Sequence, residues 1–342
     1  MNPLLKKTKA YIRSILGVAI SLLLLSYTLH SSGLELSQIQ FNTSSIVNWV
    51  LAVFVFIFTI IVHALRTKFI WVNNTSELSK IRSYSSLIIG NFYNSVLPGN
   101  LGEGVRAWHF HKKNQVSFSC SLAAIVTEKF IDAQVFLLLV VPLLCYQEWI
   151  YTNPIFITLA LVSTFVFFSN GILLLGWLYP KIPKFVIRSL PLGSSLRFSL
   201  WRLFLHFKNH LRQLYKNRLL WVYIAAAICL FVLNMFQYFW VLRAANVLPL
   251  LRTLCTLYLL SCIMIVVGVV PSAPSSAGVV HYSIYASLLL AAGFLSVPVS
   301  LALKQNFALV TIYLHLSYFI PEILLGVFYL WRERKILFER YT

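Results

Sequence analysis

The chain has 342 residues, of which 59% are hydrophobic and only 11% charged, and it carries a net charge of +19. A soluble fold cannot hide that much apolar surface, which excludes an ordinary water-soluble globular protein. Nucleic acid is not the expected partner of the positive charge either, because Lys and Arg sit between apolar runs and not on a separable basic domain. They read as topology signals and as contacts to anionic lipid. The apolar residues arrive in runs of about 20, the length that spans roughly 30 Å of hydrocarbon. The expected fold is therefore all-α, a polytopic helical membrane protein, with residues 1–342 forming one integral membrane domain.

In chain order, Lys6, Lys7, Lys9 and Arg13 come before an apolar stretch ending near Leu25, within a span predicted over about Tyr11 to Thr28. No small-residue cleavage site follows it, so it reads as a retained first helix. Further spans are predicted over Val47–Leu65, Ser119–Cys145, Ile155–Leu178, Leu219–Leu242, Leu250–Val270 and Phe307–Leu330. Two more hydrophobic stretches are interrupted. Ser83–Val105 is broken by Pro98, Gly99, Gly102 and Gly104, and Pro271–Val297 opens with Pro271, Pro274 and Gly278.

Counting Lys and Arg in the loops assigns the sides of the membrane. The 31–46 loop has none and lies outside. Arg66, Lys68, Lys80 and Arg82 lie inside, and so do Arg106, Lys112 and Lys113, so both flanks of the first broken stretch share one side. That is the pattern of a re-entrant hairpin entering from the cytoplasm. The 147–153 loop lies outside and the basic stretch 181–218 inside. Arg332, Arg334, Lys335 and Arg340 return to the cytoplasm if the second broken stretch crosses. The expectation is about eight crossings with one or two re-entrant or broken helices and both termini cytoplasmic, in a cell membrane such as the bacterial cytoplasmic membrane. Residues 181–218 form a basic cytoplasmic segment in which Phe185, Leu196, Phe198, Trp201, Leu203, Phe204 and Leu205 alternate with the cations. They suit an amphipathic helix on the inner leaflet or a plain cytoplasmic loop.

Pro and Gly clusters at membrane depth are tolerated where the backbone is buried in protein or lines a wet cavity, and broken helices present N–H groups to anions. The run Asn94, Ser95, Pro98, Gly99, Asn100, Gly102, Glu103 and Arg106 has this character, and Glu103 can pair with Arg106 at helical spacing. The second break supplies Pro271, Pro274, Ser275, Ser276, Gly278 and His281. It loosely echoes the first, which leaves an inverted repeat open. A third candidate is Glu128, Lys129 and Asp132, in an otherwise apolar helix where each unpaired charge costs about 2.5 to 3.5 kcal/mol. Glu128 and Asp132 share a face, and Lys129 can pair with either side. The group suits a polar path for lipid headgroups, and equally a salt bridge tying helices together. Glu322, after Pro321, is a poorer candidate of the same kind.

The pattern Asn94, Pro98, Gly99, Gly102, Arg106, the charged helix with Lys129, and the late run Pro271, Pro274, Ser275, Ser276, Ala277, Gly278 resemble the lysylphosphatidylglycerol synthase transmembrane-region family of flippase-like proteins. Two positions depart from it. Ser275 and Ser276 stand where the family has Gly-Gly, and His281 stands near where an acidic residue is common. The family's aminoacyl-transferring domain does not follow the last helix, so this chain is not expected to act as a lipid aminoacyl synthase alone. The resemblance implies translocation of a lipid, a phospholipid or a polyprenyl-phosphate-linked one, or service to a separately encoded lipid-modifying enzyme. A metal-independent membrane glycosyltransferase is a further alternative. The nine acidic residues include one Asp and no D-x-D, and the five cysteines show no CxxC, so neither a metal site nor a cofactor is expected. No P-loop is present, so energy would come from a gradient or downhill flow.

Overall fold

The structure, a computed structural model, describes residues 19–34, 42–69, 80–97, 101–144, 164, 167–168, 171, 179, 181–247, 260 and 274–334. Among the described residues there are helices and turns and no strand. The helices are α1 (Ala19–Ser32), α2 (Thr43–Phe69), α3 (Lys80–Val96), α4 (Gly102–Asn114), α5 (Phe118–Leu144), α6 (Lys181–Ser189), α7 (Ser194–Lys216), α8 (Leu219–Ala244), α9 (Val279–Phe294) and α10 (Leu301–Arg332). The expected spans over 155–178 and 250–270 lie largely outside the described residues, as do Pro98, Gly99, Asn100 and Pro271.

Helix starts are set by polar caps beyond the apolar runs. The Ser45 N–H donates to Asn42 Oδ1 at 2.7 Å, that of Cys120 to Ser117 Oγ at 3.2 Å, and that of Leu303 to Ser300 Oγ at 3.2 Å. This is why α2 and α10 begin several residues ahead of the hydrophobic stretches at 47 and 307. Among the described residues, four segments are long and apolar enough to cross a membrane, Thr43–Lys68, Leu219–Ala244, Pro274–Gly293 and Leu301–Arg332. The 27-residue α5 has the length as well, but carries Glu128, Lys129 and Asp132 in its middle. Exposed Phe54 and Phe58 on α2, Trp221 and Phe236 on α8, and Leu324 and Trp331 on α10 present apolar flanks of the kind lipid covers.

The first broken stretch is an antiparallel pair of helices. Gly102, at the start of α4, packs so closely on α3 that a Cβ there would overlap the Gly90 carbonyl and the Asn94 side chain. Further on, Ser86 meets His109 and Ser85 meets Lys113, as two helices running in opposite directions require. The second break differs. Pro274–Ser276 forms a single 3-10 turn in which Ser275 and Ser276 take φ of 56° and 52°, and Gly278 follows at 81° before α9 begins. At Gly278 a Cβ would overlap the Ser21 carbonyl, so this glycine is required by space as well as by its backbone angle.

The chain groups into two compact units, each drawn from separated segments. One comprises Met1–Ile61, Ile88–Glu103 and Phe231–Arg332 and the other Val62–Leu87, Gly104–Leu230 and Glu333–Thr342. In the first, α9 packs on α10, burying Leu288, Ala292, Phe307, Val310 and Leu314. In the second, α5 packs on α7 around Ala123, Phe130, Phe204, Phe207 and Leu214, with the Phe130 and Phe207 rings edge to face at 5.4 Å. The basic 181–218 segment is thus helical, and part of its apolar face is spent on α5.

Candidate functional site

In the second unit, the last turns of α2 supply His63, Arg66 and Thr67, at spacings that put all three on one helical face. From α4 comes Arg106, and from α5 come Glu128 and Asp132, four residues apart. The Glu128 carboxylate is fully buried and sits at the centre. It accepts hydrogen bonds from Arg106 Nη2 at 2.8 Å, Arg106 Nη1 at 3.3 Å, Arg66 Nη2 at 3.2 Å and Thr67 Oγ1 at 3.4 Å, and His63 Nε2 is hydrogen-bonded to it as well. Arg66 also grips Asp132 with both terminal nitrogens, Nη2 reaching Oδ2 at 2.9 Å. Arg106 Nη2 donates to Thr67 Oγ1 at 3.0 Å. The Arg66 guanidinium lies over the Tyr223 ring from α8, 5.0 Å from its centre.

Charges of this kind are costly in an apolar interior unless they are paired and hydrogen-bonded. Here two guanidiniums face two carboxylates, so the cluster is formally balanced. It is still not fully satisfied. Arg66 Nε and Tyr223 Oη are buried with no hydrogen-bond partner among the described residues. A cleft of about 10 Å³, lined by Thr67, Arg106, Phe110, Ser121, Ala124, Ile125 and Glu128, leaves room for one water beside the ions.

A second charged set lies in the same unit. Glu333, just past α10, accepts from Lys113 Nζ and hydrogen bonds His109 Nε2 at 2.9 Å, while His109 Nδ1 meets Ser86 Oγ at 2.8 Å. Burial alone would raise the Glu333 carboxyl, but the His109 and Lys113 hydrogen bonds outweigh it and hold it down at about 2.

The first unit buries a set built mainly of imidazoles and hydroxyls instead. His315, Tyr318 and Glu322 line one face of α10. His315 Nε2 meets Ser275 Oγ at 3.3 Å and its Nδ1 meets Tyr318 Oη at 2.9 Å, while Tyr318 Oη also reaches the Ser275 carbonyl at 3.5 Å. His281 stacks on His315 with ring centres 4.8 Å apart and accepts the Gly278 N–H on Nδ1 at 3.3 Å. Ser95, beside the first break, donates to the Glu322 carboxylate. Among the described residues, no group of three or more His, Cys, Asp or Glu side chains is arranged to hold a metal ion.

Of the residues singled out in the sequence, Arg106, Glu128 and Asp132 come together, whereas Lys129, next to Glu128, is exposed. Glu103 is half-buried and falls in the other unit from Arg106. Ser275, Gly278 and His281 surround the α10 face, and Pro274 and Ser276 flank Ser275 in its turn. Gly102 serves close helix packing, and Asn94 Oδ1 beside it is buried with no partner among the described residues. Sequence reasoning missed His63, Arg66, Thr67, Tyr223, His315 and Tyr318. Arg66 had looked like a loop cation marking the inner side. The signal for two of these sets was present as polar residues at i, i+3 and i+4, or i, i+3 and i+7, inside apolar helices.

Long helices with apolar outer flanks, a broken helix pair and buried balanced charges define a polytopic helical membrane protein. The chain belongs to the Lysylphosphatidylglycerol synthase TM region family, whose model matches residues 14–320. This membership carries a membrane lipid-related role. No curated protein and no solved structure matches the chain.

Proposed function

We propose that this protein moves a lipid with an anionic headgroup, a phospholipid or a polyprenyl-phosphate-linked lipid, from one leaflet to the other. The observation that carries the reading is the convergence of Arg66 and Arg106 on one buried carboxylate, next to an Arg66 Nε and a Tyr223 hydroxyl that lack partners. Two forked guanidiniums, with Arg66 Nε as a spare donor, match the geometry of a phosphate. In the present arrangement Glu128 and Asp132 stand where such an anion would bind. A headgroup phosphate enters by replacing them, and the released carboxylates then face a cationic headgroup substituent. Exchanging one set of charge pairs for another keeps the ions compensated throughout, which limits the cost of holding them in hydrocarbon. The same reading places the protein in the bacterial cytoplasmic membrane with both termini on the cytoplasmic side.

The test is reconstitution in vesicles carrying headgroup-labelled phospholipids or polyprenyl phosphates, with a membrane-impermeant quencher reporting the outer leaflet. Wild type is compared with the double variant Arg106→Gln/Glu128→Gln, which removes one charge of each sign and leaves Arg66 paired with Asp132. Faster exchange of one lipid class, lost in the double variant, supports translocation through this cluster. Exchange equal to protein-free vesicles for every lipid overturns it.

A second reading, a membrane partner for a separately encoded lipid-modifying enzyme, is favoured by one surface. Lys184, Phe185 and Arg188 on α6, and Phe198, Arg202, Arg212 and Lys216 on α7, are exposed, and residues 181–218 contain no acidic side chain. Co-purification of such an enzyme, lost when Arg202 and Arg212 are changed to Glu, would select this reading.

A further inference from the structure

The polar face of α10 touches both broken segments of the first unit. Ser95, two residues after Tyr93 and three before Pro98, bonds to Glu322, and Ser275, inside the second break, bonds to His315. Between them on the same face stands Tyr318, four residues before Glu322 and three after His315. Its ring packs against Phe56 of α2, with centres 6.2 Å apart. The remaining titratable neighbour of Tyr318 is Tyr238 from α8, and α1 contributes the Ser21 backbone beside Gly278. Among the described residues Glu322 forms no ion pair, and its carboxylate accepts from Ser95.

Its hydrogen bonds can be written in two ways. With His315 neutral, Tyr318 O–H donates to His315 Nδ1, and His315 Nε2–H donates to Ser275 Oγ. With a proton added at Nδ1, His315 donates from both nitrogens, and Tyr318 accepts from Nδ1–H while turning its own O–H to the Ser275 carbonyl, already 3.5 Å away. The Tyr318 hydroxyl and the His315 N–H groups keep an acceptor in both states, and the exchange requires rotation of one hydroxyl. The stacked His281 ring limits the occupancy, because two cationic imidazoles with centres 4.8 Å apart repel strongly in a low-dielectric surrounding.

We infer that His281, His315 and Tyr318 form a binding site for a single proton, carried by one imidazole of the stacked pair and, on His315, held between Tyr318 and the Ser275 turn. Because His315 and Tyr318 both bond to Ser275, adding the proton changes the hydrogen bonds that pin the second break. Its use in driving lipid movement rests on the translocation reading above, whereas the site itself does not.

The test is nitrogen NMR of the full-length protein in lipid nanodiscs with labelled histidine, from about pH 8 down to about pH 4.5. The two imidazoles are assigned from His281→Gln and His315→Gln. Tyr318→Phe keeps the ring and removes the hydroxyl, and serves if either histidine variant fails to fold. The expected result is that both wild-type imidazoles change together in one step that takes up one proton, and that Tyr318→Phe alters the bonded shift of His315 Nδ1. Two imidazoles that stay neutral across the range, or that titrate in two independent steps, overturn the site. Lipid exchange is followed in parallel. A one-step titration without exchange of any lipid at any pH leaves the proton site standing and removes the translocation reading. Exchange with silent imidazoles does the reverse.

Discussion

The two units bury polar atoms in an apolar chain by opposite means. Around Glu128 the second unit uses full charges, two guanidiniums against two carboxylates, each held by several hydrogen bonds. Around His315 the first unit uses imidazoles and hydroxyls that satisfy one another without fixed charge. A balanced ion cluster is rigid, since losing any one member strands its partner in the interior. A neutral set can change its protonation by turning a hydroxyl. The first arrangement suits a site that exchanges one anion for another, and the second suits a site that gains or loses a proton.

The sharpest way to break this contrast is to remove a single charge. Glu128→Gln leaves one guanidinium uncompensated, and the expected loss is about 3 to 5 kcal/mol, read as a large fall in the thermal unfolding midpoint in detergent. The double variant Arg106→Gln/Glu128→Gln should recover much of it, because the surviving pair is balanced. A double variant as unstable as the single one would mean that packing, not charge balance, sets the cost. Next in size is Gly278→Ala in the neutral unit, where the new methyl meets the Ser21 carbonyl at a φ of 81°. A loss of about 2 to 3 kcal/mol is expected from strain and overlap together, measured in the same assay.

Glu333→Gln probes charge outside the spanning helices and carries a pH signature. The wild-type carboxyl is held at about 2, below its ordinary value of 4.5. Its contribution is therefore present above 4.5 and is lost as the pH falls toward 2. Unfolding compared at neutral and acidic pH should show wild type approaching the variant as acid is added. The gap at neutral pH should be about 1 to 2 kcal/mol, the scale of buried hydrogen bonds to a charged group. A gap that persists unchanged in acid would mean that Glu333 acts through packing alone.

How much of this was legible in the sequence differs between the two units for a physical reason. Charges inside an apolar helix stand out because insertion penalises them, so Glu128 and Asp132 pointed to a buried site, and Arg106 was marked by the broken stretch. Arg66 did not stand out, because a cation at a helix end obeys the same loop rule that orients the whole chain. Lys129 shared its neighbours' prominence, yet it lies on the other side of α5 and is exposed, which one position along a helix accomplishes. The neutral set was harder to see. His315 and Tyr318 are ordinary interior residues one at a time, and His281 was marked only by its place in the second break. Only the meeting of α10 with the turn at Ser275, a long-range contact, brings them together. The four spanning segments among the described residues were readable from apolar length, but the starts of α2 and α10 were not, since Asn42 and Ser300 cap from beyond the hydrophobic runs.

The smallest expected effect calibrates the contrast. Gln237 on α8 donates from Nε2 to Ser317 Oγ on α10 at 2.9 Å, a buried interhelical bond in the neutral unit that involves no ion. Gln237→Leu removes one polar partner but leaves Ser317 with the Leu314 carbonyl, to which its hydroxyl donates at 2.7 Å. Nothing is stranded, so the loss should be about 0.6 kcal/mol, the average for hydrogen bonds between membrane helices. Thermal unfolding beside Glu128→Gln would show a difference of several fold. Were Gln237→Leu to cost as much as Glu128→Gln, the neutral unit would be as tightly bound by its hydrogen bonds as the other is by its ions, and the freedom required for a turning Tyr318 hydroxyl would lose its basis.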